Sequence, residues 1–581
     1  MRTLHDPLRV FLSQKILAAL PPESSLTVEN LFEQFVEPPN SELGDLAFGC
    51  FILAKLQKKA PAILAQELKT KITLDGDLTS VEVAGPYLNF KFSIPKIGSA
   101  LLEPIRQGSF FKTVLTHHTP KTMIEYSQPN THKELHVGHM RNACLGDALV
   151  RLLRYCNYDI VSATFPGDVG THVAKCLWYL KFHNSEPIPT SGRGEWIGRI
   201  YSKAHLQLEA EIGTPNENEN RAQLTQILKD LETQTGENFA LWRETRQWSI
   251  DLMKQVYAWA DISFDHWYWE SDVDSASVQY VKDLHRQGLL QTSQGAVGLD
   301  LSEDGLGFCL LLKSDGTGLY ATKDLELARR KFQEHKIEKS IYVVDLRQEL
   351  HFKQVFKVLE KLNFPEAKNC LHLKYAFVEL PDGAMSSRKG NIVPLMELIQ
   401  KMEETVKINY LNRYADEWSK DDIDTVASQV AKGAIKYGML KMDTNKKIVF
   451  DMTEWLKIDG ESGPFIQYSV ARIKSLIRKL GAPPEKIDWA LLQHPSERKL
   501  MQALMNFHST VLGSAETQRP HLLCTYLYDL AKRFNLFYHD CPLMKAETDS
   551  LKQARLALSE ASGQILQRGL SLLGIPTPEK M

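Results

Sequence analysis

Hydrophobic residues recur at helical spacing through much of residues 1–112, and two short stretches there alternate with polar residues instead. LRVFLSQKILAAL and FILAKLQKKAPAILAQELKTKI have the spacing of helices, whereas SVEVAG and YLNFKFS alternate as strands do. The polar run TVLTHHTPK (113–121) is typical of a linker. The pattern therefore predicts a compact α+β unit over residues 1–112.

A different pattern, in which strands and helices alternate, follows this linker. KTMIEYS predicts a buried strand that runs into the loop QPNTHKEL, and a helix is predicted to begin at Val137. DIVSATFP predicts the next strand, and GDVGTH predicts a glycine-rich turn. Elements in this order begin a parallel α/β unit, in which ligands bind beyond the carboxyl ends of the strands. Further strands are predicted at AVGLDL, GFCLLLKS, GLYATKD and SIYVVD.

Two long stretches are patterned almost entirely as helices. Residues 185–260 are helical and highly polar, which indicates an insertion in the α/β unit. From about Phe450 onward, helical spacing continues to LALSEASGQILQRGLSLLGI near the end of the chain. We therefore predict an N-terminal α+β domain (1–112), an α/β domain with a connecting stem region (113–449) and an α-helical domain (450–581).

Composition narrows the class of protein. Of the 581 residues, 43% are hydrophobic and 24% are charged, as in soluble globular proteins. A net charge of −2 gives no global signal for binding a polyanion, so any nucleic-acid surface is expected to be local. There is no run of 18 apolar residues and no secretory leader pattern, so no membrane association is expected. The eight cysteines form no C-x-x-C pair, which predicts no structural metal and a reducing, cytoplasmic location.

The junction between the predicted loop and the helix at Val137 carries candidate phosphate chemistry. Lys133, His136 and His139 offer an ammonium and two imidazoles next to the free N–H groups of a helix N-terminus. Such donors suit the phosphates of ATP. The alternative is a pair of surface histidines near a helix start.

Two later stretches each allow two interpretations. DGAMSSRKGNI, from Asp382, is either a loop that binds a polyphosphate or an exposed basic turn. In DGTGLYATKDLELA, Tyr320 and Asp324 lie four residues apart. If a helix starts after Lys323, the two side chains share one cavity, and otherwise Asp324 is a structural N-cap.

Taken together, IEYSQPNTHKELHVGH and AMSSRKGN resemble the two signatures of class I aminoacyl-tRNA synthetases. GDVGTH, KSDGTGLYATKDLELA, VVDLRQELHFKQVFKVLEKL and ESGPFIQYSVARIKSL narrow the resemblance to arginyl-tRNA synthetases, over essentially the whole chain. The resemblance implies a multidomain α/β fold with a Rossmann-type parallel-sheet catalytic domain. It also implies a small N-terminal α+β domain that contacts the tRNA elbow, and a C-terminal α-helical bundle that binds the anticodon.

The resemblance further implies the reaction and its partners. ATP with Mg²⁺ and L-arginine would give arginyl-adenylate, and arginine would then pass to the 3′-terminal ribose of the tRNA for arginine. A monomer is expected. Two alternatives stay open on the sequence: another nucleotidyltransferase with the same His-x-Gly-His element, and a catalytically silent synthetase-like scaffold that binds tRNA.

Roles carry over from the family at the matching positions. The resemblance assigns catalysis to Lys133, His136, His139 and Lys389, and ATP binding to His136, Gly138, His139, Met385, Ser386 and Lys389. For L-arginine it assigns Glu125, Asn130, Tyr320, Asp324 and Gln348. Glu125 and Asp324 would face the guanidinium, and Asn130 and Gln348 the amino and carboxylate ends. The alternative for Glu125 is an ion pair with an arginine of the core.

The second signature departs from the family pattern at one position. Its middle lysine is replaced here by Ser387. The resemblance implies that a lysine just before the His-x-Gly-His element, here Lys133, takes over the contact with phosphate, and Lys389 is the alternative. For the tRNA, aromatic residues mixed with basic ones predict a local surface in the C-terminal helices. The candidates there are Arg472, Lys479, Lys532, Arg533 and Asn535.

Overall fold

The computed structural model describes residues 2–22, 24–40, 42–380, 383–384 and 393–581, and it divides into two compact units. One unit comprises residues 1–118 together with 457–581, and the other comprises residues 119–456. Met385, Ser386, Ser387 and Lys389 therefore lie outside the described residues.

The N-terminal segment contains a four-stranded antiparallel sheet in the order β1-β2-β4-β3. Its strands are β1 (Phe35–Val36), β2 (Leu46–Gly49), β3 (Leu78–Ala84) and β4 (Tyr87–Phe92). Its helices are α1 (Pro7–Ala19), α2 (Val28–Phe32), α3 (Phe51–Gln57), α4 (Pro61–Lys71), α5 (Ile94–Ile97) and α6 (Glu103–Arg106). The second predicted helix is split into α3 and α4 because Lys58 adopts a left-handed conformation and Pro61 starts a new helix.

The second unit is built on a five-stranded parallel sheet in the order β12-β11-β5-β6-β7. These strands are β5 (Thr122–Glu125), β6 (Ile160–Thr164), β7 (His266–Trp267), β11 (Lys339–Asp345) and β12 (Cys370–Tyr375). Two smaller sheets contain β8 (Gln291–Ser293), β9 (Ala296–Leu301) and β10 (Gly307–Leu312), and β13 (Val378–Leu380), β14 (Gly383–Ala384) and β15 (Ile448–Val449). The predicted parallel α/β fold is confirmed.

Helices flank and extend this sheet. They are α7 (Val137–Tyr155), α8 (Thr171–Phe182), α9 (Arg193–Ala210), α10 (Asn216–Thr233), α11 (Gly236–Ala260), α12 (Glu270–Arg286), α13 (Tyr320–His335), α14 (Glu349–Lys361), α15 (Leu395–Val406), α16 (Lys420–Leu440) and α17 (Met452–Leu456). Helix α7 begins at Val137, as predicted, and α9 to α11 occupy the polar stretch 185–260.

The strand predicted at GLYATKD is wrong, because α13 already begins at Tyr320. The hydroxyl of Thr322 accepts the Leu319 N–H at 3.1 Å and donates to the Leu311 carbonyl. Both bonds satisfy backbone groups at the helix start and fix the helical turn. Asp324 consequently lies in the second turn of α13 and does not cap it, so Tyr320 and Asp324 share one helix face.

The C-terminal segment is helical, as predicted, and packs with the N-terminal segment in one unit. Its helices are α18 (Gly463–Leu480), α19 (Pro495–Met505), α20 (Phe507–Glu516), α21 (His521–Asp540) and α22 (Asp549–Leu572). The buried carboxylate of Asp45 accepts the Phe92 N–H at 2.8 Å and a Gln502 Nε2 bond at 2.8 Å, and pairs with Arg498. Since burying a charge without partners is costly, this network fixes the sheet on α19.

Candidate active site

The first signature folds into a histidine-capped helix N-terminus. His136 is the N-cap of α7, and its Nδ1 accepts the Gly138 N–H at 3.2 Å. The Nδ1 of His139 accepts the His136 N–H at 3.1 Å, and the two ring centroids are 3.9 Å apart. Because each Nδ1 is an acceptor, each neutral ring carries its proton on Nε2. The pair therefore presents two Nε2–H donors at a helix N-terminus.

Both imidazoles are neutral around pH 7. Burial lowers the pKa of His136 to about 4, and the charges of Arg347 and Lys133 lower it as well. Burial, His136 and Lys133 hold the pKa of His139 well below the usual range. The site consequently offers dipolar donors, while its positive charge comes from lysine and arginine.

Lys133 lies on the loop between β5 and α7, three residues before the cap. Its ammonium is 5.1 Å from the ring centroid of Tyr201, on α9 of the helical insertion. This is within the range of a cation–π contact. The insertion thus contributes to positioning the predicted phosphate lysine.

The chain after the second signature returns to the first. Pro394 pairs with His136 in an antiparallel bridge, and the Leu395 N–H donates to the Leu135 carbonyl at 2.9 Å. Upstream, β14 pairs with β13, whose neighbour Phe377 accepts a bond from Arg141 of α7 at 3.3 Å. Phe377 and Leu395, in the described residues on either side of the second signature, therefore both contact α7 or the residues just before it.

A second group of side chains lies at the start of α13. Tyr320 is 68% exposed at the first helical position, and Asp324 accepts a 2.6 Å hydrogen bond from His351 Nε2 on α14. Burial opposes protonation of His351, yet the bond to Asp324 and its charge outweigh burial and raise the pKa of His351. Sequence reasoning missed His351, although it lies in the quoted motif RQELHF, three residues after Gln348.

An ion pair that the sequence did not reveal joins the start of α12 to α13. Lys323 Nζ lies 2.6 Å from Glu270 Oε1 and 3.0 Å from Asp274. A Cβ on Gly167 would lie 2.3 Å from Asn130 Oδ1 and 3.0 Å from Glu270 Oε2. Glycine at this position therefore leaves room for the side chains of both Asn130 and Glu270.

Glu125 occupies the end of β5 and is only 3% exposed. It forms an ion pair with Lys331 of α13, and it accepts a bond from Gln128 Nε2 at 3.0 Å. The Lys331 ammonium is fully buried and lies 3.8 Å from the Tyr342 ring centroid. The ion-pair alternative for Glu125 thus describes its contacts, with lysine instead of arginine as the cation.

Gln348 is exposed at the end of a short 3₁₀ turn, Leu346–Gln348, that follows β11. Arg347 in this turn pairs with Asp345 through two bonds of 2.9 and 2.8 Å. The loop before α7 follows β5, and the turn before α14 follows β11. The candidate residues on these two segments therefore lie at the carboxyl edge of the parallel sheet, where ligands bind in this architecture.

In the other unit, two predicted tRNA-contacting residues come together. Arg472 on α18 donates to Asn535 Oδ1 on α21 at 2.9 Å. Its guanidinium lies 4.8 Å from the Tyr468 ring centroid and 5.4 Å from that of Tyr538. Aromatic and basic groups are thus interleaved on adjacent helices, as stacking on unpaired bases requires. Within the described part of the chain, no helix has the length and apolarity to cross a membrane.

Family profiles match three segments of the chain. Residues 104–452 match "tRNA synthetases class I (R), catalytic domain", residues 466–581 match "DALR anticodon binding domain", and residues 11–92 match "Arginyl tRNA synthetase N terminal domain". The catalytic-domain match ends at residue 452, and the anticodon-domain match begins at residue 466.

Two relatives and a solved structure agree with these profiles. The chain is 59% identical to an arginine–tRNA ligase of Bdellovibrio bacteriovorus, over 99% of this chain and 100% of the relative. It is 34% identical to that of Clostridium perfringens, over 96% and 97% of the two chains. The Thermus thermophilus arginyl-tRNA synthetase structure superimposes with a TM-score of 0.81 at 27% identity, over 99% and 100% of the chains.

Proposed function

The chain belongs to the arginyl-tRNA synthetase family, and from this premise we propose that it ligates L-arginine to its cognate tRNA. The match over the whole length of the Bdellovibrio relative is the observation that carries the proposal. The substrates are ATP with Mg²⁺, L-arginine and the tRNA for arginine. We further propose that the protein acts as a cytoplasmic monomer, with domain boundaries near residues 112 and 449.

In the first step, an oxygen of the arginine carboxylate attacks the α-phosphorus of ATP. The new C–O–P linkage forms as the bond to pyrophosphate breaks, and pyrophosphate leaves with the electron pair. The Nε2–H groups of His136 and His139 would donate to phosphate oxygens that gain charge in the transition state. Since both rings are held in place by backbone hydrogen bonds, they need little reorganisation. Gly138, the second residue of α7, would be part of the ATP site at the helix start.

Positive charge for this step would come from Lys133 and Lys389. The lowered pKa values of the histidines support this division, because neutral imidazoles cannot neutralise phosphate. Met385 and Ser386 would complete the ATP site from the second signature.

The arginine side chain would bind at the start of α13. Asp324 supplies a carboxylate for the guanidinium, and Tyr320 lies one turn before it on the same helix face. Asn130 and Gln348 would hold the amino and carboxylate groups. Glu125 would reach the guanidinium from the end of β5, although its charge is already shared with Lys331.

In the second step, a hydroxyl of the 3′-terminal ribose attacks the carbonyl carbon of arginyl-adenylate, and AMP leaves with the electrons of the broken bond. The helical domain with Arg472 and Asn535 would bind the anticodon, and the N-terminal domain the tRNA elbow. These contacts would bring the acceptor end of the tRNA to the adenylate.

Transfer of labelled arginine to the tRNA tests the proposal. With ATP, Mg²⁺ and the tRNA for arginine, the purified chain should form arginyl-tRNA, and labelled lysine should give no product. A double variant, His136→Ala with His139→Ala, is the matched negative control. A protein that binds the tRNA but forms no arginyl-tRNA would instead be the catalytically silent scaffold.

A further inference from the structure

Two imidazoles and a carboxylate meet at the edge of the parallel sheet, at the other end of α13 from Tyr320. His266 begins the edge strand β7, and Glu334 and His335 end α13. One ligand atom from each of these residues lies within 4.8 Å of the other two. Among the residues that the structure describes, this is the one such group of three His, Cys, Asp or Glu side chains.

We propose that His266, Glu334 and His335, here called the edge cluster, bind Zn²⁺. Two histidines and one glutamate are a ligand set that zinc accepts, with a water in the fourth tetrahedral position. Bond lengths of about 2.1 Å would place the ligand atoms about 3.4 Å apart. Small rotations of side chains that are exposed or half-buried would bring the three atoms to that spacing from within 4.8 Å.

The surroundings of the edge cluster favour zinc ligation over a random surface contact. The ring centroids of His266 and His335 are 4.9 Å apart with planes at 72°, so the two rings are in contact edge to face. The hydroxyl of Tyr268 donates to Glu334 Oε2 at 3.2 Å. In metal sites, a hydrogen bond to a carboxylate ligand from a residue that does not itself bind the metal fixes the orientation of that carboxylate.

The zinc would add a link between β7 and α13, in addition to the apolar cluster that contains Tyr268, Leu327 and Phe332. β7 has two residues and, in the part of the chain that the structure describes, pairs with β6 alone, through Ala163 and Thr164. Helix α13 spans 16 residues, so the edge cluster lies about 22 Å along the helix from Tyr320. The proposed role is therefore to stabilise the catalytic unit, separately from arginine and ATP binding.

Zinc titration of the full-length protein, stripped with chelator and desalted, tests the proposal. Wild type should bind one more equivalent of Zn²⁺ than His266→Ala or His335→Ala. Any other zinc-binding site is shared by wild type and variants and cancels in this comparison. Each histidine substitution should weaken the affinity of the edge cluster for Zn²⁺ by at least about 100-fold, and Glu334→Gln should weaken it by about 10-fold. Zinc should raise the Tm of wild type by at least about 3 °C and leave that of the two histidine variants unchanged.

His285→Ala is the matched control, since His285 is a half-buried histidine of α12 in the same unit, bonded to Thr292 at 2.9 Å. It should bind zinc as wild type does. Glu334→Gln preserves the size of the side chain and an acceptor for Tyr268, so it tests the site without emptying it. Equal zinc stoichiometry and affinity in wild type and both histidine variants would overturn the proposal, as would a wild type that binds no zinc below about 10 µM.

Discussion

His351 donates from Nε2 to the Asp324 carboxylate over 2.6 Å, which joins α14 to the helix that carries Tyr320. The bond to Asp324 and its charge raise the pKa of His351 despite burial, the largest opposing effect. A protonated His351 and a bound guanidinium would compete for the same carboxylate. Arginine binding is therefore expected to release a proton from His351.

This competition predicts that the KM for arginine falls as pH rises from 6.5 to 8.5. Deprotonation of His351 leaves the full charge of Asp324 for the guanidinium, which stays protonated throughout this range. In His351→Asn, which keeps a donor to Asp324 without a titrating ring, the pH dependence should disappear. Steady-state arginylation at saturating ATP and tRNA measures both.

Asp324→Asn is the control for this prediction. It should raise the KM for arginine about 10- to 100-fold at every pH, because a charge-assisted hydrogen bond is worth about 1.5–3 kcal/mol. ATP binding should stay nearly intact. If the pH dependence persists in His351→Asn, another group is responsible for it.

A second prediction separates the two possible roles of Glu125. Glu125→Gln or Lys331→Met alone leaves a buried charge without its partner, and each should lower the free energy of unfolding by about 3–5 kcal/mol. The double variant should recover most of this loss. We expect its KM for arginine to stay at least about 10-fold raised, because the substrate contact is not restored. A normal KM in the double variant would assign Glu125 to the core alone.

The sequence predicted those parts of the fold and site that are encoded locally. Apolar periodicity after a polar loop was enough to place the start of α7 at Val137, and with it His136 and His139. The strand prediction at GLYATKD was wrong because its short alternation resembles that of a strand, whereas the hydrogen bonds of Thr322 determine the helix. Local pattern does not contain those bonds.

The missed residues are those whose roles depend on distant partners. The sequence pattern indicates that Lys331 is a polar position of an amphipathic helix. In the structure it pairs with Glu125, which lies 206 residues away in the chain. Glu270 and His351 are likewise defined by contacts with Lys323 and Asp324 in other helices. No periodicity indicates which charged residue of a helix will be buried.

A third prediction concerns acid stability and His132. This buried ring bonds Thr131 and Thr245 at 2.8 Å each, and burial lowers its pKa to about 3. Below pH 6.5 the unfolded chain takes up a proton that the folded protein does not, so the folded state loses stability as pH falls. His132→Gln removes this effect.

His132→Gln should therefore be less stable than wild type at pH 7.5, and the difference should narrow by about 2 kcal/mol at pH 5. Equilibrium unfolding of both proteins at pH 7.5 and at pH 5 measures this difference in stability. Thr245→Val is the matched control, since it removes a hydrogen bond and keeps the imidazole, and its difference from wild type should not narrow. A constant difference for His132→Gln would contradict the prediction.

A fourth prediction distinguishes transition-state from ground-state contacts. His136→Ala and His139→Ala should each lower the adenylation rate about 100- to 1,000-fold, with a smaller loss of ATP affinity. Single-turnover measurements separate the two quantities. Equal losses in rate and affinity would mark the histidines as uniform binders of ATP.

The last prediction concerns the lysine that the second signature lacks. Lys133→Ala should impair adenylation far more than Lys389→Ala, although each removes one positive charge. Lys133 lies three residues before a helix N-terminus whose backbone bonds are fixed, and its ammonium contacts the ring of Tyr201. A charge held near the phosphates stabilises the transition state without first being ordered.

Replacing Ser387 by lysine gives the complementary test. Ser387→Lys should partly rescue Lys133→Ala if both positions reach the same phosphates, and it should add little to the wild type. A double-mutant cycle on kcat/KM for arginylation measures the coupling between the two positions. Strict additivity, or a larger defect in Lys389→Ala than in Lys133→Ala, would reject compensation by Lys133. The family assignment would be unaffected, because it rests on the match along the whole chain.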